Sequence, residues 1–356
     1  MRCSNARLRH AAIIVCALAA TPVLAAPRAA HDDCNSSNAD RNIAGCTRVL
    51  EDTTESDRVR AIAHVGRGLA WQSKGERDKA MVDFSAAIRL DPDDSLAWSD
   101  RGALWRELND LDRAIADFTE AIRLNALPRS DLPGLGRVNV YANRGLAWQA
   151  KGDLDRALAD FDEAVARDPR DTDAASFRAQ VHLARHEYDA AVADLDTVIR
   201  LAPNQTRAWY MRGVIRYDRY MFASPMIEAS DLDGAIADLS EVIRRDPNTT
   251  GAYYARAMAF TTNGDRPRAI ADLTELIRRD PQNVTAYYAR AVAFNAGGDN
   301  PHAIADLTAA ARINPFNHDV ITALKKLKPD YKAPENPFSS LEGVVADAPG
   351  KVARKK

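Results

Sequence analysis

Two charged residues recur in step along most of this chain. Arginine stands at Arg67, Arg101, Arg144, Arg178, Arg212, Arg256 and Arg290, and aspartate at Asp83, Asp117, Asp160, Asp194, Asp238, Asp272 and Asp306. A guanidinium fork fits a carboxylate with two parallel hydrogen bonds. Seven arginines in register could grip acidic ligands, or seven Arg–Asp pairs could fix the register of neighbouring helices; both readings start from the same residues. Other reactive groupings are sparse. His182 and His186 lie four apart, the helical spacing of a two-histidine metal pair, but the glutamate of HExxH is missing. Two ligands do not close a metal site, so no metal is expected. There is no glycine-rich phosphate loop and no GxSxG. Carboxylates are plentiful, but they recur with a period, as capping and surface residues do. Catalysis needs a constellation that occurs once; none is found, and neither enzyme activity nor a cofactor is expected.

The elements that carry those pairs repeat every 34 residues. With Ala61 as position 1, the repeats run 61–94, 95–128, 138–171, 172–205, 206–249, 250–283 and 284–317. Position 8 is always Gly or Ala, position 20 always Ala, and position 24 always Phe or Leu (Phe84, Phe118, Phe161, Leu195, Leu239, Leu273, Leu307). Position 11 is aromatic in five copies: Trp71, Trp105, Trp148, Phe260 and Phe294. Gly75, Gly152, Gly264 and Gly298 mark a turn near position 15 that splits each unit into two helices. The acids that follow (Glu76, Asp153, Asp265, Asp299) are expected to cap the second helix. Asp–Pro pairs such as Asp91–Pro92 and Asp280–Pro281 stop it, because the residue before proline is pushed out of the α region. Small residues at 8 and 20 let two backbones approach. A helix of about 13 residues is marginal alone, so each unit must bury a face on its neighbour.

This pattern resembles the tetratricopeptide repeat family over residues 61–317. The fourth copy departs from it, with Ala175, His182 and His186 at positions 4, 11 and 15, and is the loosest joint expected. The resemblance implies an all-α fold: a right-handed superhelical solenoid of about seven helix-turn-helix repeats with capping helices at both ends. It also implies a concave groove, lined by the first helices near positions 2, 5, 9 and 12, that binds peptides or protein segments. Carried onto this chain, those positions include Gln72, Arg106, Gln149, Tyr210, Tyr217, Tyr254, Met258, Tyr288 and Asn295, with Val65, Ser99, Ala142 and Ser176 at position 5 of the first four copies. Three successive tyrosines, Tyr210, Tyr254 and Tyr288, suit recognition of peptides or of sugars. They could equally pack on neighbouring helices.

The flanks carry further signals. Residues 1–26 read as a secretory signal: Arg2, Arg7 and Arg9, a short apolar run over 11–20, and small residues before a cleavage point at Ala25 or Ala26. Its removal would take the net charge from −2 to −5. Cys34 and Cys46 would then be the only cysteines left, and an oxidising compartment favours a disulfide between them, worth about 3 kcal/mol on loop entropy. Residues 27–60 read as an N-terminal cap, an orphan second helix with Cys46 in the position-24 slot. Residues 318–328 read as a C-terminal capping helix, and the proline-rich, basic 329–356 as a disordered tail. Two insertions break the period. Residues 127–137 read as a Pro/Gly loop. Residues 217–231 are either a loop exposing Tyr220, Met221 and Phe222 to a partner or a longer first helix ending before Ser224–Pro225.

A net charge of −2 argues against a nucleic-acid scaffold, and no segment is long and apolar enough to be a transmembrane helix. The expectation is an exported scaffold, periplasmic or secreted, that binds another protein. A glycan- or peptidoglycan-binding module is the alternative, and an enzyme with an unrecognised site the more remote one.

Overall fold

The computed structural model describes residues 28–125, 139–222 and 229–332. The expected signal segment, the 127–137 insertion and the tail beyond Lys332 lie outside the described residues. Seventeen α-helices and no strand occur among the described residues. The chain divides into two compact units, Met1–Thr197 and Val198–Lys356.

The first unit holds α1 (Arg28–Cys34), α2 (Ala39–Glu51), α3 (Asp57–Ser73), α4 (Arg77–Leu90), α5 (Ser95–Glu107), α6 (Leu111–Asn125), α7 (Val140–Lys151), α8 (Leu154–Arg167), α9 (Thr172–Ala184) and most of α10 (Tyr188–Leu201). The second holds α11 (Thr206–Phe222), α12 (Ala229–Arg245), α13 (Thr250–Thr262), α14 (Arg266–Arg279), α15 (Val284–Ala296), α16 (Asn300–Ile313) and α17 (His318–Leu327). From α1 to α9, and from α11 to α17, each helix packs on the next, and first helices of adjacent repeats also touch (α3 with α5, α11 with α13).

Local chemistry sets the punctuation. Gly75, Gly152, Gly264 and Gly298 have φ near +80°, the left-handed region that ends the first helix. Asn109 and His186 take the same role at φ 61° and 60°, and the His186 ring bonds the Tyr188 hydroxyl at 3.0 Å. Asp153, Asp265 and Asp299 accept from backbone N–H groups of the following helix. Glu76 does not: its side chain makes no cap bond to α4, a correction to the expected capping. Glutamate's extra methylene places its carboxylate poorly for a first-turn N–H, and it pairs with Lys79 instead.

The packing explains the small residues. The position-20 alanine is 0% exposed in all seven repeats. A Cβ built on Gly68 would lie 2.7 Å from the Phe84 ring, and those on Gly102 and Gly145 would lie 3.0 and 2.9 Å from Phe118 and Phe161. Where position 8 carries a methyl group (Ala179, Ala257, Ala291), position 24 is the smaller Leu (Leu195, Leu273, Leu307). The two sites share one volume. Protein interiors are packed closely enough for a single methyl to be felt.

The N-terminal cap contains more than an orphan second helix. α1 lies against α2, joined by the Cys34–Cys46 disulfide. Cys46 is fully buried in a cluster with Ala30, Val49 and Ala63. Gly45 marks the crossing, since a Cβ there would meet the Asp33–Cys34 backbone at 2.3–2.5 Å. Ala30 and Cys46 are sixteen residues apart, as positions 8 and 24 are, but they precede Gly68 and Phe84 by four residues more than the 34-residue period, so α1 and α2 keep the spacing within a repeat and not the register between repeats. Helix α3 begins at Asp57, capped by Ser56, inside the stretch assigned to the cap. At the other end α17 buries Val320 and Leu324, and Tyr331 packs on the same apolar cluster rather than leaving the fold.

The 217–231 insertion is not a loop over most of its length. α11 runs on to Phe222 and α12 starts at Ala229, so the longer first helix is the observed alternative and the second helix is lengthened too. No helix breaker precedes Ser224–Pro225, and the Arg219 guanidinium pairs with Asp231 across the two extensions.

Candidate functional site

The repeated arginines are engaged inside the fold. In all seven repeats Nε and Nη2 of the position-7 arginine donate to the two oxygens of the position-23 aspartate at 2.5–2.9 Å. The aspartates are 2–6% exposed. Position 25 of the preceding unit supplies a further acceptor, which the periodicity of Arg and Asp alone did not reveal. Nη1 donates to Thr47 for Arg67, Ser85 for Arg101, Thr119 for Arg144, Asp162 for Arg178, Ser240 for Arg256 and Thr274 for Arg290. The hydroxyls of Thr119, Ser240 and Thr274 in turn donate to the carbonyl four residues back. Each such arginine thus joins two helices of its own repeat to the second helix of the one before. Hydrogen-bonded to Asp194 and Asp162, Arg178 is held above its ordinary pKa, as Arg290 is by Asp306. Asp83 shows the opposite balance. Burial alone would raise it, but bonds from His64 and Arg67 hold it below the usual carboxylate range.

Aromatic rings are covered by basic side chains at a fixed offset. Lys79, Arg113, Arg156 and Arg268 lie over Trp71, Trp105, Trp148 and Phe260 at 4.1–4.6 Å, and His302 stacks on Phe294 at 5.1 Å. The position-4 rings belong to the packing as well: Trp98 and Trp209 donate to the carbonyls of Pro92 and Pro203.

The first-helix face differs between the two units. In the first, Val65, Ser99 and Ala142 at position 5 are buried, not open to a ligand, because small residues there let adjacent first helices close. Ser176 is half-buried and donates to Thr172 O. Gln72 is bonded to Glu107 of the next repeat at 2.9 Å. Arg106 and Gln149 are half-buried.

In the second unit the face is broader. Tyr210, Tyr254 and Tyr288 are half-buried, their rings seated on apolar clusters. The Tyr210 hydroxyl approaches Gly251, where a Cβ would lie 3.0 Å away. Tyr217 makes a 3.4 Å contact with Thr262 Oγ1. Burial, with a smaller contribution from Tyr217, raises the Tyr254 hydroxyl above its ordinary pKa. Met258 is half-buried, Thr261 and Asn295 are exposed, and Val292 is 45% exposed. Positions 5, 9 and 12 of α11, α13 and α15 therefore carry Tyr, Val, Met, Thr and Asn, with no charge among them.

The other candidates separate. Tyr220 is half-buried, while Met221 and Phe222 are 45% and 74% exposed at the end of α11. His182 is bonded to Glu187 at 2.6 Å and His186 to Tyr188, so the two rings do not converge. Among the described residues no group of three or more His, Cys, Asp or Glu is arranged to hold a metal ion, and no helix is long and apolar enough to cross a membrane.

Two sequence profiles, both described as tetratricopeptide repeat, match the chain, one over residues 66–127 and 254–318 and the other over 149–215. No curated protein matches it. Among solved structures, the C-terminal part of a TPR repeat-containing protein from Cytophaga hutchinsonii aligns with a TM-score of 0.58 at 17% identity, over 72% of this chain and 98% of its own. A tetratricopeptide repeat protein from Parabacteroides merdae aligns with a TM-score of 0.50 at 19% identity, over 76% and 99%. At such identities the likeness speaks to the fold alone.

Proposed function

The chain belongs to the tetratricopeptide repeat family, and from that premise we propose that it is an exported scaffold whose second unit binds a protein segment on the first-helix face of α11, α13 and α15. Scaffolding of protein–protein contacts is what the repeat fold is suited to. The observation that carries the finer reading is the uncharged tyrosine stripe of Tyr210, Tyr254 and Tyr288, flanked by Tyr217, Met258 and Val292. Rigid rings with polar tips lose little conformational entropy on binding and offer both apolar area and a hydroxyl. Export is supported by the basic-then-apolar start of the sequence and by the buried Cys34–Cys46 bridge, which belongs to an oxidising compartment. The arginine–aspartate pairs serve the fold in this reading, since each arginine spends its forked donors internally.

The test is capture from an envelope extract with mature protein as bait, beside a Tyr210→Ala/Tyr254→Ala/Tyr288→Ala variant whose circular dichroism matches wild type. A partner held by wild type and lost by the variant supports the face. A partner held equally by both moves the site to the end of α11, at Met221 and Phe222. If neither bait retains a protein, and soluble glycan quenches tyrosine and tryptophan fluorescence of wild type, the scaffold reading is overturned in favour of sugar binding.

A further inference from the structure

We propose that the tyrosine face of the second unit has a resident occupant, the chain's own segment Phe338–Val345. The inference rests on the reading that α11, α13 and α15 present a binding face. The path begins at Tyr331. That ring packs on the cluster formed by Ala291, Leu307, Val320 and Leu324, and Tyr288 packs on the same cluster. The chain therefore leaves the described fold from the apolar cluster that also seats the last tyrosine of the stripe. From Lys332, six residues reach Phe338 and seven more reach Val345, spans of at most about 20 and 45 Å at ~3.4 Å per residue. Helices pack 8–10 Å apart, so α15, α13 and α11 all lie within reach.

Composition agrees with the placement. Between Pro337 and Ala346 the sequence reads FSSLEGVV, with four apolar side chains and one charge, Glu342. The Lys and Arg residues of the terminus cluster beyond Gly350. The aromatic face can seat Phe338, Leu341 and the Val344–Val345 pair. The next helix ends the match: α17 places Thr322 and Lys326 at positions 5 and 9, where α13 and α15 place Tyr with Met or Val. A tethered segment acts at an effective concentration in the millimolar range. Modest intrinsic affinity then suffices to occupy the face, and an outside partner must compete.

The test uses the full mature chain with Phe338 replaced by photo-reactive p-benzoylphenylalanine. Met258 stands on the face as a favoured target for such a group. Illumination should give a cross-link on the monomer, mapped by mass spectrometry to residues 206–222, 250–262 or 284–296. Adding Tyr254→Asp in the same chain should cut its yield about tenfold, equivalent to about 1.4 kcal/mol. A cross-link on the monomer that maps elsewhere, one found only in dimers, or no cross-link at all overturns the proposal. A yield unmoved by Tyr254→Asp, with circular dichroism intact, overturns it too. Such failure leaves the binding-face reading standing if the triple tyrosine variant still loses its captured partner, so the two ideas fail separately.

Discussion

Removing one guanidinium from the middle of the second unit should cost far more than a surface charge is worth. Arg256 donates to both oxygens of Asp272 at 2.8 and 2.7 Å and to Ser240 Oγ at 2.9 Å. Its side chain is 18% exposed and that of Asp272 8%. Arg256→Met keeps much of the methylene stem and its packing but strands the aspartate. Breaking a buried pair from one side costs about 3–5 kcal/mol. The residual exposure of Arg256 argues for the lower end, about 3 kcal/mol. At about 2–4 °C per kcal/mol for a cooperative unit of this size, the second unit should melt about 6–12 °C lower. Differential scanning calorimetry of the full chain, beside wild type, reads this directly. The cause can be isolated. If the penalty is the uncompensated carboxylate, Asp272→Leu added to Arg256→Met should recover most of the loss, since replacing both partners of a buried pair by apolar groups is often neutral. A double variant no more stable than Arg256→Met would refute the reasoning, as would a single variant that melts with wild type.

Three further outcomes follow from the packing and the charges. Gly68→Ala should destabilise by about 1–3 kcal/mol through overpacking against Phe84, and Phe84→Leu in the same chain should relieve it in chemical denaturation, because Ala with Leu is the pairing used by the fourth, sixth and seventh repeats. Reducing the Cys34–Cys46 bridge, or making Cys34→Ser, should lower stability of the first unit by about 3 kcal/mol; mature protein should show no titratable thiol before reduction, and two free thiols would sink the bridge. Acid should act through carboxylates whose folded pKa is depressed: hydrogen bonds from Arg244 and from Arg278 hold Glu241 and Glu275 at about 2 against 4.5, and Asp83 lies below 3.8. Their stabilisation is present above the unfolded values and lost as pH falls through the folded ones, so the melting temperature should drop between about pH 4.5 and 2, and a flat profile there would contradict the assignment.

Much of this architecture was legible in the residues because it is periodic. Gly or Ala at 8, Ala at 20 and Phe or Leu at 24 are a packing code repeated seven times, and a code repeated is hard to misread. What escaped the sequence was whatever occurs across a boundary or only once. The hydroxyl at position 25 looks like an ordinary helix Ser or Thr until the next repeat's arginine is seen to reach it. Helix α1 is too short and too polar to announce itself, and its place comes from the bridge to Cys46, the buried Ala30 and the pairing of Asp33 with Arg41 and Arg48. The longer first helix α11 was one of two readings and the lengthened α12 was in neither; the Arg219–Asp231 pair that joins the two extensions is a long-range contact that spacing alone does not rank. On the first-helix face, Val65, Ser99 and Ala142 matched the family positions yet are buried, whereas Tyr210, Tyr254 and Tyr288 are not, because size at that position governs how closely adjacent first helices close.

The arginine bonds also constrain how a gene of this kind can change length. In regular copies the arginine lies sixteen residues before its aspartate and sixteen after the hydroxyl or carboxylate it reaches in the preceding unit. A duplication or deletion of whole 34-residue blocks, begun at any codon, recreates both separations and every bond. One of any other length breaks them unless the surplus is taken up between the bonded positions, as it is between Thr119 and Arg144 and between Arg212 and Asp238, where the separations grow to 25 and 26. Unequal crossing-over can therefore lengthen or shorten such a chain in steps that arrive already bonded, while errors out of step are discarded at the level of folding.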